Sequence, residues 1–69
     1  MPLSARNQLT GKVAEIETGA VMSIVKITLD GGQEVTASVT KEAVTELGLA
    51  VGSPVTAIIK STEVLLSTD

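Results

Sequence analysis

The sequence predicts a single all-β domain with one short helix, in which five strands form a small barrel. Polar and apolar residues alternate over several short segments, most clearly over 33–39, which is the pattern of a half-buried strand. Turn-forming residues such as Asp30-Gly31-Gly32 separate these segments. One helical signal begins at Thr40, between the third and fourth strand segments.

The first three strands are predicted over 9–17, 21–29 and 33–39. In the first, the odd spacing of Val13 and Ile16 indicates a bulge or a sharp bend. In the second, Met22 and Ile24 lie on the face opposite the main apolar face, which forms around Ser23. The residues of that main face are Val21, Val25, Ile27 and Leu29. The inward residues of the third strand are Val35, Ala37 and Val39.

A short helix is predicted over 41–47, with Thr40 as its N-cap. The Thr40 hydroxyl can accept a hydrogen bond from the N–H of Glu42 or Ala43. Gly48 is a typical C-terminal stop, because glycine adopts the left-handed conformation without a steric penalty. The helix residues expected to face the core are Val44 and Leu47.

Two further strands are predicted, over 55–60 and 63–66. Three strands, a helix and two strands in so short a chain fit a five-stranded Greek-key barrel of the OB type. A small open sheet packed on one helix is the competing layout. The sequence shows neither an internal repeat nor a linker, so residues 1–69 are interpreted as one domain.

The composition predicts self-association. The chain has 69 residues and no aromatic side chain, so its core lacks the large anchors that stabilise most small domains. Domains of this size usually need disulfides, a metal ion or partner subunits as support. Cysteine and histidine are both absent, which excludes disulfides and argues against a zinc site. Partner subunits are the remaining support.

The composition also argues against several functions. Without His or Cys, neither a Ser–His pair nor a thiolate nucleophile can form, so the protein is not expected to be an enzyme. A net charge of -3 and the absence of aromatic residues argue against nucleic-acid binding. No segment has the roughly 18 apolar residues that cross a bilayer, and the N-terminus lacks a signal-peptide pattern. A cytoplasmic location is therefore expected, with no membrane partner.

Hydrogen-bond donors and cations are concentrated at the two ends of the chain. Residues 4–8 read Ser-Ala-Arg-Asn-Gln, and residues 60–62 read Lys-Ser-Thr. A dianionic oxyanion is bound by such donors, away from carboxylates. The start of the predicted helix at Thr40 adds backbone N–H groups and the positive end of the helix dipole. Each element alone has a simpler interpretation as a surface charge, a strand end or a cap.

These motifs resemble those of a known family. The string from Ser4 to Val13 closely resembles the opening motif of the molbindins, the small molybdenum-pterin-binding (Mop) proteins. The string from Lys60 to Val64 resembles their closing motif, and Thr40 with Leu47-Gly48-Leu49 resembles their helix region. The resemblance covers essentially the whole chain. It implies an OB-type barrel called a TOBE domain, and a homo-hexamer arranged as a trimer of dimers. It also implies molybdate or tungstate bound at subunit interfaces and stored in the cytoplasm.

The resemblance also implies particular site residues. The anion-binding residues on one subunit are Ser4, Arg6, Lys60 and Ser61, with backbone N–H groups near Ala5 and Ser61. A neighbouring subunit contributes Thr40 and the backbone N–H of Ala43. Some relatives have Ser at the position of Ala43, so only the backbone contact is carried over there.

Two other functions stay open at this point. In one, the chain is a regulatory or scaffolding module whose self-assembly is controlled by molybdate. In the other, suggested by the fold alone, it is a nucleic-acid-binding OB domain. The sequence does not separate molybdate from tungstate, because a site that selects by anion radius hardly distinguishes two anions of nearly equal size.

Overall fold

The computed structural model describes residues 4–68, which form one antiparallel sheet and one α-helix. The strands are β1 (Asn7–Thr18), β2 (Met22–Leu29), β3 (Glu34–Thr40) and β4 (Pro54–Ile59). Helix α1 (Lys41–Leu47) connects β3 to β4, and a 3₁₀ turn over Ser61–Glu63 follows β4. The strand order is β3-β2-β1-β4, so β1 lies inside the sheet and pairs with two neighbours.

The bulge predicted in β1 is confirmed. Val13 pairs with Ile27 and Glu15 pairs with Lys26, so Ala14 has no partner on β2. The extra residue shifts the alternation by one position, which allows Val13 and Ile16 to face the same side of the sheet. The odd apolar spacing in the sequence is therefore explained by the backbone.

The core lies on the concave side of the sheet, beneath the helix. Its buried hydrophobic residues are Val13, Val25 and Ile27. Ser23 is completely buried beside them, and its hydroxyl has no hydrogen-bond partner among residues 4–68. Half-buried side chains complete this layer, and they are Ile16, Leu29, Val39, Val44, Leu49, Val55 and Ala57. Val21 was expected on this face but precedes β2 and is 72% exposed.

Helix α1 has the predicted bounds and caps. Thr40 is its N-cap, and Gly48 ends it with a left-handed φ of 63°. Val44 packs against the core as expected, whereas Leu47 is 71% exposed, so its predicted inward position is wrong. Gly48 reverses the chain and brings Leu49 against the core instead, with the Leu49 N–H donating to the Val44 carbonyl over 3.0 Å. Within residues 4–68, no helix has the length and apolar character to cross a membrane.

The predicted fifth strand is wrong, and the barrel is not closed by this chain. The sheet has four strands, and residues 64–68 pair with none of them. The 3₁₀ turn over Ser61–Glu63 diverts the chain from β4, and Leu65 and Leu66 are 92% and 93% exposed. A strand segment needs a neighbour for its backbone groups, and among residues 4–68 the segment after the turn pairs with no strand. The described chain is therefore a curled half-barrel with one short helix, so the predicted barrel is confirmed in its curled, mostly β form but with four strands instead of five.

Candidate oxyanion site

The pairing of β1 with β4 brings the two ends of the chain together. The last pair of this ladder joins Asn7 to Ile59. Because the strands are antiparallel, the residue before Asn7 and the residue after Ile59 lie at the same end of the ladder. These residues are Arg6 and Lys60. The two donor-rich motifs, although far apart in sequence, thus form one surface region.

A small cleft lies between the two motifs. Its volume is about 190 Å³, and its lining residues are Ser4, Ala5, Lys60, Ser61 and Thr62. A water molecule takes about 30 Å³ in the liquid, so the cleft has room for one tetrahedral oxyanion and several waters. Its polar side chains are three hydroxyls and one ammonium group. Among residues 4–68, no carboxylate lines it.

The 3₁₀ turn adds backbone donors to this cleft. The Glu63 N–H donates to the Lys60 carbonyl over 2.9 Å, and the Val64 N–H donates to the Ser61 carbonyl over 3.3 Å. The N–H groups of Ser61 and Thr62 come too early in the turn to find an acceptor within it. Both residues line the cleft, so these two N–H groups are candidate donors to a ligand there.

The charges around the cleft favour an anion. Within residues 4–68 the one ion pair joins Lys26 to Glu15, at 3.5 Å. Arg6 and Lys60 therefore have no carboxylate partner in that part of the chain. Both are exposed. They lie on the two strands just beyond the last pair of the β1–β4 ladder, where two like charges repel. A bound dianion would compensate both. Arg6 does not itself line the cleft and borders it through Ala5.

Thr40 and Ala43 lie in a different place from the other predicted site residues. They belong to the start of α1, where Thr40 is the β3 partner of Met22. A second, larger cleft of about 550 Å³ lies there. Its lining residues are Ala20, Val21, Thr40, Lys41, Glu42, Thr45 and Glu46. Two of these are carboxylates and one is a cation, so this cleft by itself is poorly suited to a dianion.

The N-cap hydrogen bond limits which donors this second region can offer. The Ala43 N–H donates to Thr40 Oγ1 over 3.0 Å, so this N–H is already engaged within the chain. Since the Thr40 oxygen accepts there, its own hydroxyl proton remains free to donate outward. The Glu42 N–H has no side-chain cap of this kind. One chain therefore brings Ser4, Ala5, Lys60 and Ser61 together and leaves Thr40 and Ala43 apart.

The structure adds Thr62 to the predicted set. Its side chain lines the small cleft with Ser61. The signal was present in the sequence, because Thr62 belongs to the Lys-Ser-Thr motif. Its place in the lining depends on the 3₁₀ turn over Ser61–Glu63, which the sequence did not predict.

Among protein families, the TOBE domain matches residues 3–66. A probable molybdenum-pterin-binding protein from Haemophilus influenzae is 48% identical over 69 residues, which cover the whole of both chains. The molybdenum transport protein ModE from Herbaspirillum seropedicae is 49% identical over 65 residues. The matched region covers 94% of this chain but 24% of that protein, so the chain spans about a quarter of the ModE length.

Solved structures show the same fold. MopII from Clostridium pasteurianum superposes with a TM-score of 0.91 and 39% identity, over 97% of this chain and 100% of that one. The cytoplasmic molybdate-binding protein ModG, in a form with molybdate bound, superposes with a TM-score of 0.86 and 57% identity. That match covers 88% of this chain and 43% of ModG. By sequence and by fold, this chain belongs to the molbindin (molybdenum-pterin-binding) family of TOBE-domain proteins.

Proposed function

We propose that this protein binds molybdate or tungstate and serves in the cytoplasmic storage and homeostasis of the oxyanion, without catalysing a reaction. The observation that carries the proposal is the cleft between the chain ends. It combines the Lys60 ammonium with hydroxyls of Ser4 and Ser61, and none of the described residues that line it is a carboxylate. The ligand named for ModG, molybdate, has the chemistry that this cleft accommodates.

Tetrahedral oxyanions of this class accept hydrogen bonds and donate none at neutral pH. A site for them must therefore present donors only, and charged donors form the shorter and stronger bonds. Lys60 and Arg6 supply charge, Ser4, Ser61 and Thr62 supply hydroxyls, and the turn supplies N–H groups. A smaller dianion such as sulfate would leave some of these fixed donors unpaired, which lowers its affinity.

The rest of the site comes from a second copy of the chain in this proposal. Thr40 lines a different cleft from Lys60 within one chain, and Ala43 lies beside that cleft, so they act on the same anion only across a subunit interface. The Thr40 hydroxyl proton is the free donor there, and the Ala43 N–H reaches the anion by sharing its proton with Thr40 Oγ1. The exposed Leu65 and Leu66 and the two sheet edges offer apolar and hydrogen-bonding surface to such a copy. We propose a homo-hexamer, arranged as a trimer of dimers, with the anions at its interfaces.

Isothermal titration with sodium molybdate, sodium tungstate and sodium sulfate tests the binding function. The native chain is expected to bind the first two tightly and sulfate weakly. Arg6→Ala and Lys60→Ala should each lower molybdate affinity at least tenfold, because each removes a charged donor. Lys12→Ala removes one positive charge from an exposed position in the middle of β1, outside the cleft lining, and should leave the molybdate affinity unchanged. Native-like affinity in both site variants would refute the assigned site.

A regulatory or scaffolding module is the second candidate. Its support is the number of exposed large hydrophobic side chains, with Leu65 and Leu66 the most exposed of them. A matching region within a longer molybdenum transport protein also fits a module of this kind. Sedimentation velocity with and without molybdate separates the two functions. Assembly that forms only with molybdate supports the module, and assembly that is unchanged by molybdate supports storage.

A further inference from the structure

Two neighbouring amide side chains hold the two halves of the cleft. Asn7 Nδ2 donates to the Ile59 carbonyl over 3.2 Å, across a sequence separation of 52 residues. Gln8 Nε2 donates to the Ala5 carbonyl over 3.4 Å, within the N-terminal segment. Both acceptors share one property: each carbonyl belongs to the residue immediately before a cation. Ile59 precedes Lys60, and Ala5 precedes Arg6.

This position fixes more than a carbonyl. A peptide unit is planar and trans, so its C=O and the following N–H point in opposite directions. When Asn7 holds the Ile59 carbonyl, it also sets the direction of the Lys60 N–H and the point from which the Lys60 side chain leaves. Gln8 does the same for Arg6 through the Ala5 carbonyl. Each amide therefore orients one cationic residue of the proposed site.

The two amides act from opposite sides of β1. Successive side chains of a strand point to opposite faces, so Asn7 and Gln8 cannot share one face. Asn7 is half-buried and bridges the two strands, whereas Gln8 is exposed and acts within its own segment. The two hydrogen bonds thus hold the N-terminal and C-terminal motifs separately.

The chemistry of an amide suits this task. An NH₂ group donates without carrying a charge, so it engages a carbonyl oxygen without adding a competing ion to the site. The engaged carbonyl oxygens are also the atoms that a dianion would repel. A carbonyl oxygen that already accepts from an amide is less free to turn toward the anion.

We propose that Asn7 and Gln8 are positioning residues of the oxyanion site, which orient the peptide units before Lys60 and Arg6. This inference rests on the proposed binding of molybdate or tungstate to the same site. Neither side chain lines the cleft, so each acts through the cation that follows its acceptor. Asn7 has the stronger influence because its hydrogen bond is shorter and partly shielded from water.

Titration of ¹⁵N-labelled full-length protein with sodium molybdate, followed by amide spectra and by calorimetry, tests this proposal. In Asn7→Ala the molybdate affinity is expected to fall about fivefold, the usual contribution of one neutral hydrogen bond. The response of the Lys60 amide signal to molybdate should change, and that of Arg6 should remain. In Gln8→Ala the affinity should fall about twofold, with the Arg6 signal changed and the Lys60 signal retained.

Gln33→Ala is the matched control, since it removes an exposed amide next to the distant β2–β3 turn. It should bind as the native chain does. Because Gln8 is exposed, Gln8→Ala should keep the fold. It therefore tests the positioning role even if Asn7→Ala does not fold. Native affinity in the folded variants, or equal changes at Arg6 and Lys60 in both, overturns the positioning role. If the native chain itself binds neither molybdate nor tungstate, the proposed function fails as well, and the two failures are thereby distinguished.

Discussion

The amide N–H of Ala43 donates a hydrogen bond of 3.0 Å to Thr40 Oγ1, and this bond joins the end of β3 to the first turn of α1. The first N–H groups of a helix have no partner within the helix, so a side-chain acceptor at the N-cap stabilises it. The same hydroxyl is a predicted donor to the anion of a neighbouring subunit. Thr40 is thus expected to act in folding and in binding.

Thr40→Ala should lower the free energy of unfolding by about 1 kcal/mol, because it removes the N-cap acceptor. Thr40→Ser keeps a hydroxyl at that position and should stay within about 0.5 kcal/mol of the native protein. Urea denaturation, at one fixed protein concentration and without oxyanion, measures both. Equal midpoints for the Ala and Ser variants would contradict the capping role.

Ser23→Ala is expected to stabilise the protein by about 1 kcal/mol. The Ser23 hydroxyl is fully buried and has no hydrogen-bond partner in the part of the chain that the structure describes, so folding removes it from water without compensation. Alanine removes the hydroxyl and leaves only a small change in volume. Thermal unfolding at matched concentration measures the change. Ser38→Ala, at an exposed site of β3, is the control and should have little effect.

Gly11→Ala should destabilise the sheet by about 2 kcal/mol, as overpacking of a filled site does. A Cβ at Gly11 would collide with the backbone carbonyl of Thr28 on β2, and a backbone group cannot move aside as a flexible side chain can. Gly31 is the matched control, since a Cβ there meets no atom within 4 Å. Urea midpoints of Gly11→Ala and Gly31→Ala should therefore differ clearly, and similar midpoints would show that β1 and β2 separate at little cost.

Leu65→Ser combined with Leu66→Ser should weaken self-association. These side chains are 92% and 93% exposed in the single chain, and burying a leucine at an interface contributes about 2 kcal/mol. Sedimentation equilibrium should show a smaller species or a dissociation constant higher by at least tenfold. Ser67→Ala, in the same segment, serves as the control. An unchanged assembly would mean that the C-terminal leucines are not part of an interface.

Local patterns in the sequence predicted most elements of the fold. The alternation over 33–39, the odd spacing of Val13 and Ile16 and the caps at Thr40 and Gly48 all depend on neighbouring residues, and each is confirmed. The strand predicted over 63–66 is wrong because its apolar residues satisfy the strand pattern, whereas the 3₁₀ turn over Ser61–Glu63 leads the chain away from β4. The predicted inward position of Leu47 is also wrong, because Leu49, which follows Gly48, packs against the core in its place.

Part of the site followed from the sequence as well. The motifs around Arg6 and Lys60 predicted a donor-rich region, and the β1–β4 pairing places their ends side by side. The Lys-Ser-Thr motif includes Thr62, but the place of Thr62 in the lining of the cleft did not follow from the sequence, because the 3₁₀ turn positions it. The proposed positioning roles of Asn7 and Gln8 depend on which carbonyl accepts the hydrogen bond of each amide, and residue type alone does not specify that acceptor.

The β1–β4 ladder bears on the order in which the chain folds. Its pairs, from Lys12 with Pro54 to Asn7 with Ile59, join segments that are distant along the chain, whereas the β1–β2 and β2–β3 hairpins join near neighbours. Contacts of high sequence separation carry the larger loop-closure entropy and form late in folding. The cleft lies beyond the last of these pairs. A nascent or partly folded chain is therefore expected to lack the proposed oxyanion site, and binding would begin only after these late contacts have formed.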